Sequence, residues 1–264
     1  MKKYKLIAID IDGTLLTTDK KLLEETKKDL VAAYNKGVII CICTGRGYPA
    51  AKRYIDELEL DIPLILYNGS RVRKSNDSTV LYNQVIETSV AKEVYEIIKK
   101  HHGTCCFWKN DTLYFNKNDE YAVYYENLTT IKPNFINEID DELLSNINKF
   151  IWFGKSEWLD IVQNDILVDC KGINYFKSNT ELLEIVPPNV DKGSTLKFLC
   201  DSLKISSDEV IAIGDEANDL SMILFAGLGV AMGNAKDIVK KNANYVTSTN
   251  DENGVGEVIK KFVL

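Results

Sequence analysis

The amino-acid sequence predicts an α/β fold in which a doubly wound parallel sheet carries an inserted α+β domain. Three observations lead to this prediction. Apolar runs alternate with helical segments at both ends of the chain, the middle third is rich in short strands and aromatic residues, and the 264 residues exceed the roughly 250 at which single cores stop growing. Apolar strands separated by helices are typical of a parallel sheet covered on both faces.

The first third of the chain supplies three strands and two helices of this sheet. Apolar runs predict strands at 5–10, 38–43 and 64–67, and the spacing of apolar residues predicts helices at 24–36 and 49–58. Gly37 follows the first helix, as expected at a helix C-terminus, and Pro49 lies in the first turn of the second.

The last third repeats the alternation, with predicted helices at 193–203 and 220–226 and strands at 210–213 and 228–231. Both ends of the chain are therefore expected to form one Rossmann-like catalytic core, residues 1–83 and 187–264. Between them, residues 84–186 contain predicted helices at 90–100 and 119–127 and a hairpin of strands 105–109 and 112–115 around Asn110-Asp111. We expect this segment to be an inserted cap that selects the substrate, with linkers near Asn83 and Pro187-Pro188.

Composition and charge exclude several classes of partner. A formal net charge of −7 provides no positive surface for a nucleic-acid polymer or an anionic membrane. No run of about 18 apolar residues is present and the N-terminal segment lacks a signal peptide, so we expect a cytoplasmic protein. We also expect either a monomer or a small homo-oligomer. The cysteines lack metal-site spacing and are interpreted as small buried hydrophobic residues: Cys41, Cys43, Cys105, Cys106, Cys170 and Cys200.

Two aspartates follow the first predicted strand, in the sequence Asp10-Ile11-Asp12-Gly13-Thr14. Side chains alternate along a strand, so both carboxylates are expected on one side at the carboxyl end of a parallel strand, where ligand clefts of open α/β sheets lie. Two carboxylates this close repel each other unless a cation or a shared proton relieves the charge. The pattern favours a divalent metal or a division of acid and base roles, and a solvated acidic turn is the structural alternative.

Two further motifs have groups that bind phosphate oxygens. Thr44-Gly45-Arg46 follows the second strand and precedes a helix, so a hydroxyl and backbone N–H groups lie near a helix start. Lys192 precedes the predicted helix 193–203, and its ammonium could offset the charge of a phosphate dianion. The structural alternatives are an ordinary helix N-cap at Thr44 and an exposed lysine at position 192.

An acidic loop, residues 214–219, follows the strand 210–213. Asp215, Glu216, Asn218 and Asp219 supply the oxygen ligands that Mg²⁺ prefers, and the series is too short for a calcium loop. An ordinary polar loop between a strand and a helix is the alternative. Because all four motifs lie at carboxyl ends of strands or at starts of helices, they can converge at one edge of the sheet. The converged set is most simply interpreted as a phosphoryl-transfer site.

In the order of its motifs the chain resembles the haloacid dehalogenase-like superfamily, specifically its Cof-type phosphatases with an inserted α/β cap. The resemblance rests on DIDGTL, TGR, the pair Asn68-Gly69, KGSTL and GDEANDL, and it covers nearly the whole chain. It implies that Asp10 is the nucleophile and that Asp12 is the general acid and base. It also implies that Mg²⁺ is bound by the carboxylates of Asp10 and Asp215 and by the backbone carbonyl of Asp12.

The resemblance implies roles for the remaining site residues as well. The phosphoryl oxygens would be held by Thr44, Gly45, Lys192 and Asn218, with Asp219 in support. Arg46 and Asn68, at the ends of core strands, are candidates for contacts with the leaving group. Metal ligation through the carboxylate of Asp10 but only the backbone of Asp12 would keep Asp10 ionised and leave a proton on Asp12. Glu216 departs from the common family pattern, as does the segment 189–191, which limits any transfer of detailed substrate contacts.

The implied function is Mg²⁺-dependent hydrolysis of small phosphorylated metabolites, such as sugar phosphates, nucleotides or pyridoxal phosphate, through an aspartyl-phosphate. An inserted cap can close over such an ester, exclude water and select by shape. Two alternatives stay open: phosphoryl transfer to another hydroxyl, as in phosphomutases, and a non-catalytic phosphoacceptor or metabolite-binding regulator. Receiver domains, which are non-catalytic phosphoacceptors, are much shorter than this chain. They lack both an inserted cap and a loop that corresponds to residues 214–219.

Overall fold

The computed structural model describes residues 4–77, 79–136 and 138–264, so residues 1–3 and 78 of the predicted core and residue 137 of the predicted cap lie outside the described residues. The strands are β1 (Leu6–Ile9), β2 (Ile39–Cys43), β3 (Pro63–Leu66), β4 (Arg71–Lys74), β5 (Val80–Asn83), β6 (Thr104–Lys109), β7 (Thr112–Phe115), β8 (Asn134–Phe135), β9 (Ile147–Phe153), β10 (Asn174–Asn179), β11 (Leu182–Val186), β12 (Val210–Gly214), β13 (Leu228–Ala231) and β14 (Tyr245–Val246). The helices are α1 (Glu24–Asn35), α2 (Tyr48–Leu58), α3 (Thr88–Lys100), α4 (Glu120–Thr129), α5 (Ser156–Ile161), α6 (Lys192–Leu203), α7 (Leu220–Phe225), α8 (Asp237–Asn242) and α9 (Gly254–Phe262).

The chain divides into two compact units. The first unit comprises Met1–Arg46, Ala51–Tyr82 and Asp191–Leu264, and the second comprises Gly47–Ala50 and Asn83–Val190. This division differs from the sequence-based one at residues 47–50, at Asn83 and in the linker 187–190. The roles of catalytic core and substrate-selecting cap stay predictions.

The first unit is built on an eight-stranded sheet in the order β14-β13-β12-β1-β2-β3-β4-β5. Neighbouring strands from β14 to β3 are parallel, whereas β4 is antiparallel to β3. The predicted doubly wound α/β core is confirmed, with the correction that its sheet is mixed. The sequence analysis missed β4 because its four residues, Arg-Val-Arg-Lys, lack the apolar character of a buried strand.

Both faces of this sheet are covered, which explains why its central strands are apolar throughout. Leu6 and Ala8 of β1 pack with Leu199 of α6 and Met222 of α7 in one buried cluster. Ile9 alternates to the opposite face and is fully buried as well. The side chains of β1 are therefore excluded from water on both faces of the sheet, and polar residues occur at the end of the strand.

The end of β3 differs from the prediction. The strand was expected to continue to residue 67 but ends at Leu66, and Tyr67 and Asn68 adopt left-handed backbone conformations with φ of 53° and 58° in a short 3₁₀ turn. The turn is fixed by the N–H of Asn68, which donates to the carbonyl of Thr44 at 3.0 Å. It lies beside the end of β2 and so holds Asn68 near the TGR motif.

The second unit contains a six-stranded sheet in the order β10-β11-β9-β6-β7-β8. Its strand pairs are antiparallel except for β7 with β8. Phe107, Phe150 and Trp152 on one face pack with Val94 of α3 and Leu159 of α5. The predicted α+β character and the hairpin β6–β7 are confirmed. The central strand β9 was missed because Asn148 and Lys149 interrupt its apolar residues, which leaves neither a continuous apolar run nor a strict alternation.

The composition-level interpretation of the cysteines is confirmed, because all six are buried free thiols. Burial raises the pKa of the thiols of Cys105 and Cys106, as expected for small buried hydrophobic residues. Along the described ranges, no helix has the length and the hydropathy needed to cross a membrane.

Candidate active site

The carboxyl ends of β1 and β12 bring the two acidic motifs together. Ile9 pairs with Ile213, and the N–H of Asp10 donates to the carbonyl of Ile213 at 3.1 Å. One carboxylate oxygen each from Asp10, Asp215 and Asp219 lies within 4.8 Å of the others. The first and last thirds of the chain thus contribute to one buried acidic cluster, as the edge-of-sheet argument predicts.

Lys192 places a positive charge inside this cluster. Its Nζ donates to Oδ1 of Asp10 at 2.6 Å and to Oδ1 of Asp219 at 2.5 Å, and the lysine is only 1% exposed. Burial opposes the charge, but the two carboxylates outweigh it and raise the Lys192 pKa above its usual value. The alternative of an exposed lysine is therefore wrong.

The start of α6 explains why Lys192 lies there. Asp191 caps this helix, because its side chain accepts a hydrogen bond from the N–H of Ser194 at 2.8 Å. A Cβ on Gly193 would lie 2.4 Å from backbone atoms of Ser221, so glycine lets α6 approach α7 closely. The N-cap at Asp191 and the close contact between α6 and α7 together direct the side chain of Lys192, the first residue of α6, toward the acidic cluster.

Hydrogen bonds distinguish the three carboxylates. Both oxygens of Asp219 are engaged, Oδ1 by Lys192 and Oδ2 by the N–H groups of Asp215 and Glu216 at 2.9 Å each. Asp10 and Asp215 each have one engaged oxygen, Oδ1, which accepts from Lys192 and from Thr14 at 2.7 Å, respectively. Their Oδ2 atoms accept no hydrogen bond from any described residue, so they are the oxygens available for new bonds.

The cluster fits a hard divalent cation. Three carboxylates face one ammonium, which leaves an excess of two negative charges at a site where all four side chains are buried. Burial raises the pKa of Asp10 well above its usual value, despite the opposing effect of Lys192. Burial likewise raises the pKa of Asp215 to about 7. When these carboxylates are ionised, their negative charge exceeds that of the ammonium, and Asp10 and Asp215 keep oxygen lone pairs that Lys192 and Thr14 do not use. Uncompensated negative charge and carboxylate oxygens suit a hard cation such as Mg²⁺.

Asp12 has a separate set of partners. Arg46 donates from Nε to Oδ2 at 2.6 Å and from Nη2 to Oδ1 at 2.8 Å, and Lys20 donates to Oδ1 at 2.9 Å. Burial opposes ionisation, but the hydrogen bonds and charge of Arg46, followed by those of Lys20, lower the pKa of Asp12 to about 2. From the protein groups alone, the pKa order of Asp10 and Asp12 is the reverse of the one expected with a bound metal.

Thr44 and Gly45 lie in the turn that ends β2. The alternative of a helix N-cap at Thr44 is wrong, because α2 begins only at Tyr48 and the Thr44 hydroxyl accepts from the N–H of Arg46 at 3.1 Å. The hydroxyl proton itself is donated to no described residue. A Cβ on Gly45 would lie 2.9 Å from Oδ1 of Asn68, so any larger residue here would require the Asn68 amide to shift.

The amide pair of Asn218 and Asn68 connects the late loop to the turn after β3. Nδ2 of Asn218 donates to Oδ1 of Asn68 at 3.0 Å. The structure thus brings Asn68 and Asn218 together and places Arg46 on Asp12. Their predicted contacts with phosphate or with a leaving group stay predictions.

Two residues in this site were not singled out by the sequence analysis. Thr14 is 1% exposed and orients Asp215 through its hydroxyl. Its place in the DIDGTL motif was a usable signal, since a buried hydroxyl needs a partner. Lys20 offered no signal, because a charged residue in an exposed polar turn is common.

Comparisons with known proteins agree with this geometry. The model of the haloacid dehalogenase-like hydrolase family matches residues 7–259. Two Bacillus subtilis (strain 168) proteins, the 5-amino-6-(5-phospho-D-ribitylamino)uracil phosphatases YitU and YcsE, are 30% and 33% identical over 266 and 263 residues. These alignments cover 98% of this chain in both cases, and 98% of YitU and 96% of YcsE.

A solved structure extends the agreement to the whole fold. The crystal structure of a haloacid dehalogenase-like hydrolase from Bacteroides thetaiotaomicron matches with a TM-score of 0.91 at 32% identity, covering 98% of this chain and 99% of that chain. The match spans both compact units and the acidic edge of the sheet. The chain therefore belongs to the haloacid dehalogenase-like hydrolases and is a phosphatase.

Proposed function

We propose that this phosphatase hydrolyses phosphate monoesters of small metabolites through an aspartyl-phosphate on Asp10 and uses Mg²⁺. The observation that carries the proposal is the state of Asp10. Its side chain is buried and held by Lys192 through Oδ1, while Oδ2 accepts no hydrogen bond from a described residue. A fixed carboxylate with one free oxygen beside an ammonium suits attack on an electrophilic phosphorus.

Each step follows from the chemistry of the side chains. Oδ2 of Asp10 forms a bond to phosphorus while the bond from phosphorus to the ester oxygen breaks, and Asp12 donates a proton to that oxygen. Asp12 then accepts a proton from a water molecule that attacks the phosphorus of the aspartyl-phosphate. This second step releases inorganic phosphate and regenerates the Asp10 carboxylate. The ammonium of Lys192 and the hydroxyl of Thr44 bind the phosphoryl oxygens in both steps.

The metal would be held by the carboxylates of Asp10 and Asp215 and by the backbone carbonyl of Asp12. At Asp10 the ligand would be Oδ1, which keeps a second lone pair beside its hydrogen bond from Lys192, because Oδ2 is the attacking oxygen. When bound, Mg²⁺ reduces the repulsion between an anionic nucleophile and an anionic phosphate. Asp219, both of whose oxygens are engaged, serves instead to hold Lys192 and the loop 214–219.

The proposed substrates are small phosphorylated molecules, including sugar phosphates, nucleotides and pyridoxal phosphate. The two Bacillus subtilis relatives support a small substrate, since each is named for a ribitylaminouracil phosphate. We propose the second unit as the cap that selects among such substrates. Its strands β9 and β11 carry the buried ion pair Lys149–Glu184 at 3.1 Å, so its sheet is not uniformly apolar.

The test is turnover of p-nitrophenyl phosphate by the purified protein. We expect activity with Mg²⁺ that is lost with EDTA and restored by excess Mg²⁺. Asp10→Asn should lose at least about a thousandfold in kcat, because an amide does not replace the nucleophile. Asp201→Asn, on the exposed side of α6, is the matched control and should retain full activity.

Two results would contradict the proposal. Activity of Asp10→Asn close to that of the parent protein would remove the nucleophile assignment. Failure to detect a phosphorylated peptide containing Asp10 by mass spectrometry after acid quenching in steady state, in a protein that turns over, would argue for direct attack by water. Release of inorganic phosphate without any added acceptor would separate hydrolysis from a phosphomutase reaction.

A further inference from the structure

We propose that Lys20 is a positioning residue which, opposite Arg46, fixes the carboxylate of Asp12 for its proton transfers. The inference rests on the proposed function, in which Asp12 is the general acid and base. It assigns a role to the exposed turn at residues 17–21, which the proposed mechanism does not use.

The first observation is the geometry around Asp12. Arg46 binds both carboxylate oxygens, and Lys20 adds a bond to Oδ1 at 2.9 Å, so three charge-assisted hydrogen bonds fix the orientation of the carboxylate. The Asp12 side chain is 37% exposed. A half-exposed carboxylate without such bonds would populate several rotamers, and only some would reach a leaving oxygen.

The second observation is the backbone at Lys20. Its φ is 60°, a left-handed conformation that non-glycine residues rarely adopt. The turn is closed by the N–H of Lys20 donating to the carbonyl of Thr17 and the N–H of Thr17 donating to the carbonyl of Lys21, both at 2.9 Å. This conformation directs the side chain of Lys20 to Asp12 and leaves the neighbouring Lys21 with no ion pair to a described residue.

The third observation is the attachment of this turn to the rest of the first unit. The N–H and the hydroxyl of Thr18 each donate to the carboxylate of Asp251 at 2.8 Å. Asn250 donates from Nδ2 to the carbonyl of Leu16, also at 2.8 Å. An ordinary exposed ion pair is free to dissociate and contributes little to the stability of a protein. A lysine on a turn that is held at both of these points stays near its partner.

The experiment compares Lys20→Gln with the matched control Lys21→Gln. Both variants remove one exposed ammonium from the same turn and keep a side chain of similar length. For each we would measure kcat/KM with Mg²⁺ for a series of aryl phosphates whose leaving phenols range from acidic p-nitrophenol to weakly acidic phenol. Poor leaving groups depend on a proton from the acid, whereas good ones do not.

We expect Lys20→Gln to steepen the dependence of kcat/KM on the leaving-group pKa, because the lost orientation of the Asp12 carboxylate outweighs the easier protonation that follows when a neighbouring ammonium is removed. The loss should be about tenfold for phenyl phosphate and less than about twofold for p-nitrophenyl phosphate, a fraction of the effect of removing a general acid outright. Lys20→Arg, which keeps the charge, should restore most of the phenyl phosphate activity. Lys21→Gln should match the parent protein on every substrate.

Asp12→Asn makes failure of the inference distinguishable from failure of the proposed function. If Asp12→Asn steepens the dependence strongly and Lys20→Gln does not, Lys20 is not a positioning residue. If Asp12→Asn itself leaves the dependence unchanged, the acid role of Asp12 is wrong and the inference falls with it. An equal loss on all substrates with Lys20→Gln, carried by KM, would show that Lys20 binds the phosphate instead and would also overturn the inference.

Discussion

The four charged residues of the acidic cluster differ in function because their hydrogen bonds differ. Asp219 has both oxygens engaged, while Asp10 and Asp215 each have one oxygen free of hydrogen bonds from described residues. Lys192 is shared between Asp10 and Asp219, so its position depends on a residue that we do not expect to touch the metal. We therefore expect Asp219 to influence the site through the ammonium of Lys192.

We predict that the substitution Asp219→Asn lowers both the stability and the activity of the protein. The carboxylate of Asp219 accepts hydrogen bonds from Lys192 and from two backbone N–H groups. In Asp219→Asn, the amide NH₂ group would face one of these donors and could not accept a hydrogen bond from it. We expect a loss of stability of about 3–5 kcal/mol, as for other broken buried ion pairs, and a fall in kcat/KM of at least about tenfold. Chemical denaturation and steady-state kinetics would measure the two effects.

The control for Asp219→Asn is Asp201→Asn in the same protein. Asp201 forms an exposed pair with Lys197 at 2.6 Å, with side-chain exposures of 65% and 59%. Its loss should change stability by less than about 1 kcal/mol. Similar effects of the two substitutions would show that burial of the Lys192–Asp219 pair is unimportant.

At the scale of elements, the site is made by the turns that follow the strands. The turn after β1 passes so close to the end of β12 that a Cβ on Gly13 would lie 2.4 Å from Oδ2 of Asp215, and Gly13 has a φ of +79°. Both facts require glycine at this position. The carboxylate oxygen that such a Cβ would strike is one of those free of hydrogen bonds.

Gly13→Ala is therefore predicted to damage metal binding more than stability. Gly37→Ala is a suitable control, because Gly37 has a φ of +83° and a Cβ there would meet nothing within 4 Å. Both variants should lose about 1–2 kcal/mol of folding stability, because alanine adopts a left-handed backbone conformation at that cost. Only Gly13→Ala should also weaken Mg²⁺ binding, by about tenfold or more as measured by calorimetric titration. Equal Mg²⁺ affinities in the two variants would contradict this account.

At the scale of the whole molecule, the stability of the first unit is linked to the charge at its active site. Burial raises the pKa of Asp215 from its usual 3.8 to about 7. In the folded protein Asp215 therefore keeps a proton that it has lost in the unfolded chain between these pH values. Without a cation, this contribution to the free energy of unfolding is fully present below pH 3.8 and is lost as the pH rises through about 7.

The corresponding prediction is that stabilisation by Mg²⁺ increases with pH. The ion competes with the proton for Asp215, so the increase in Tm on adding Mg²⁺ should be larger at about pH 8 than at about pH 5. An ion present at a hundred times its Kd should stabilise the protein by about 2.7 kcal/mol. Differential scanning calorimetry with Mg²⁺ and with EDTA would measure the shift. Equal shifts at both pH values, or a shift unchanged in Asp215→Asn, would contradict the prediction.

Much of the fold could be predicted because the core elements have strong local signals. The alternation of β1, α1 and β2 follows from apolar runs and a terminating glycine, and its predicted bounds differ from the structure by at most one residue at either end. Strands β4 and β9 are among those that were not predicted, because β4 is highly charged and β9 has no decisive period. The pairing of β9 with β6 and β11 also depends on segments distant in sequence.

Local patterns were sufficient to predict the α/β class, the family and the residue types at the ends of the core strands. These features follow from periodicity and from short motifs, which depend on neighbouring residues. Three features could be seen only in the folded chain: which carboxylate lone pairs accept hydrogen bonds, the burial of Lys192, and the contacts of Arg46 and Lys20 with Asp12. Burial and hydrogen bonding are set by atoms from distant segments, and no local pattern records where those atoms meet.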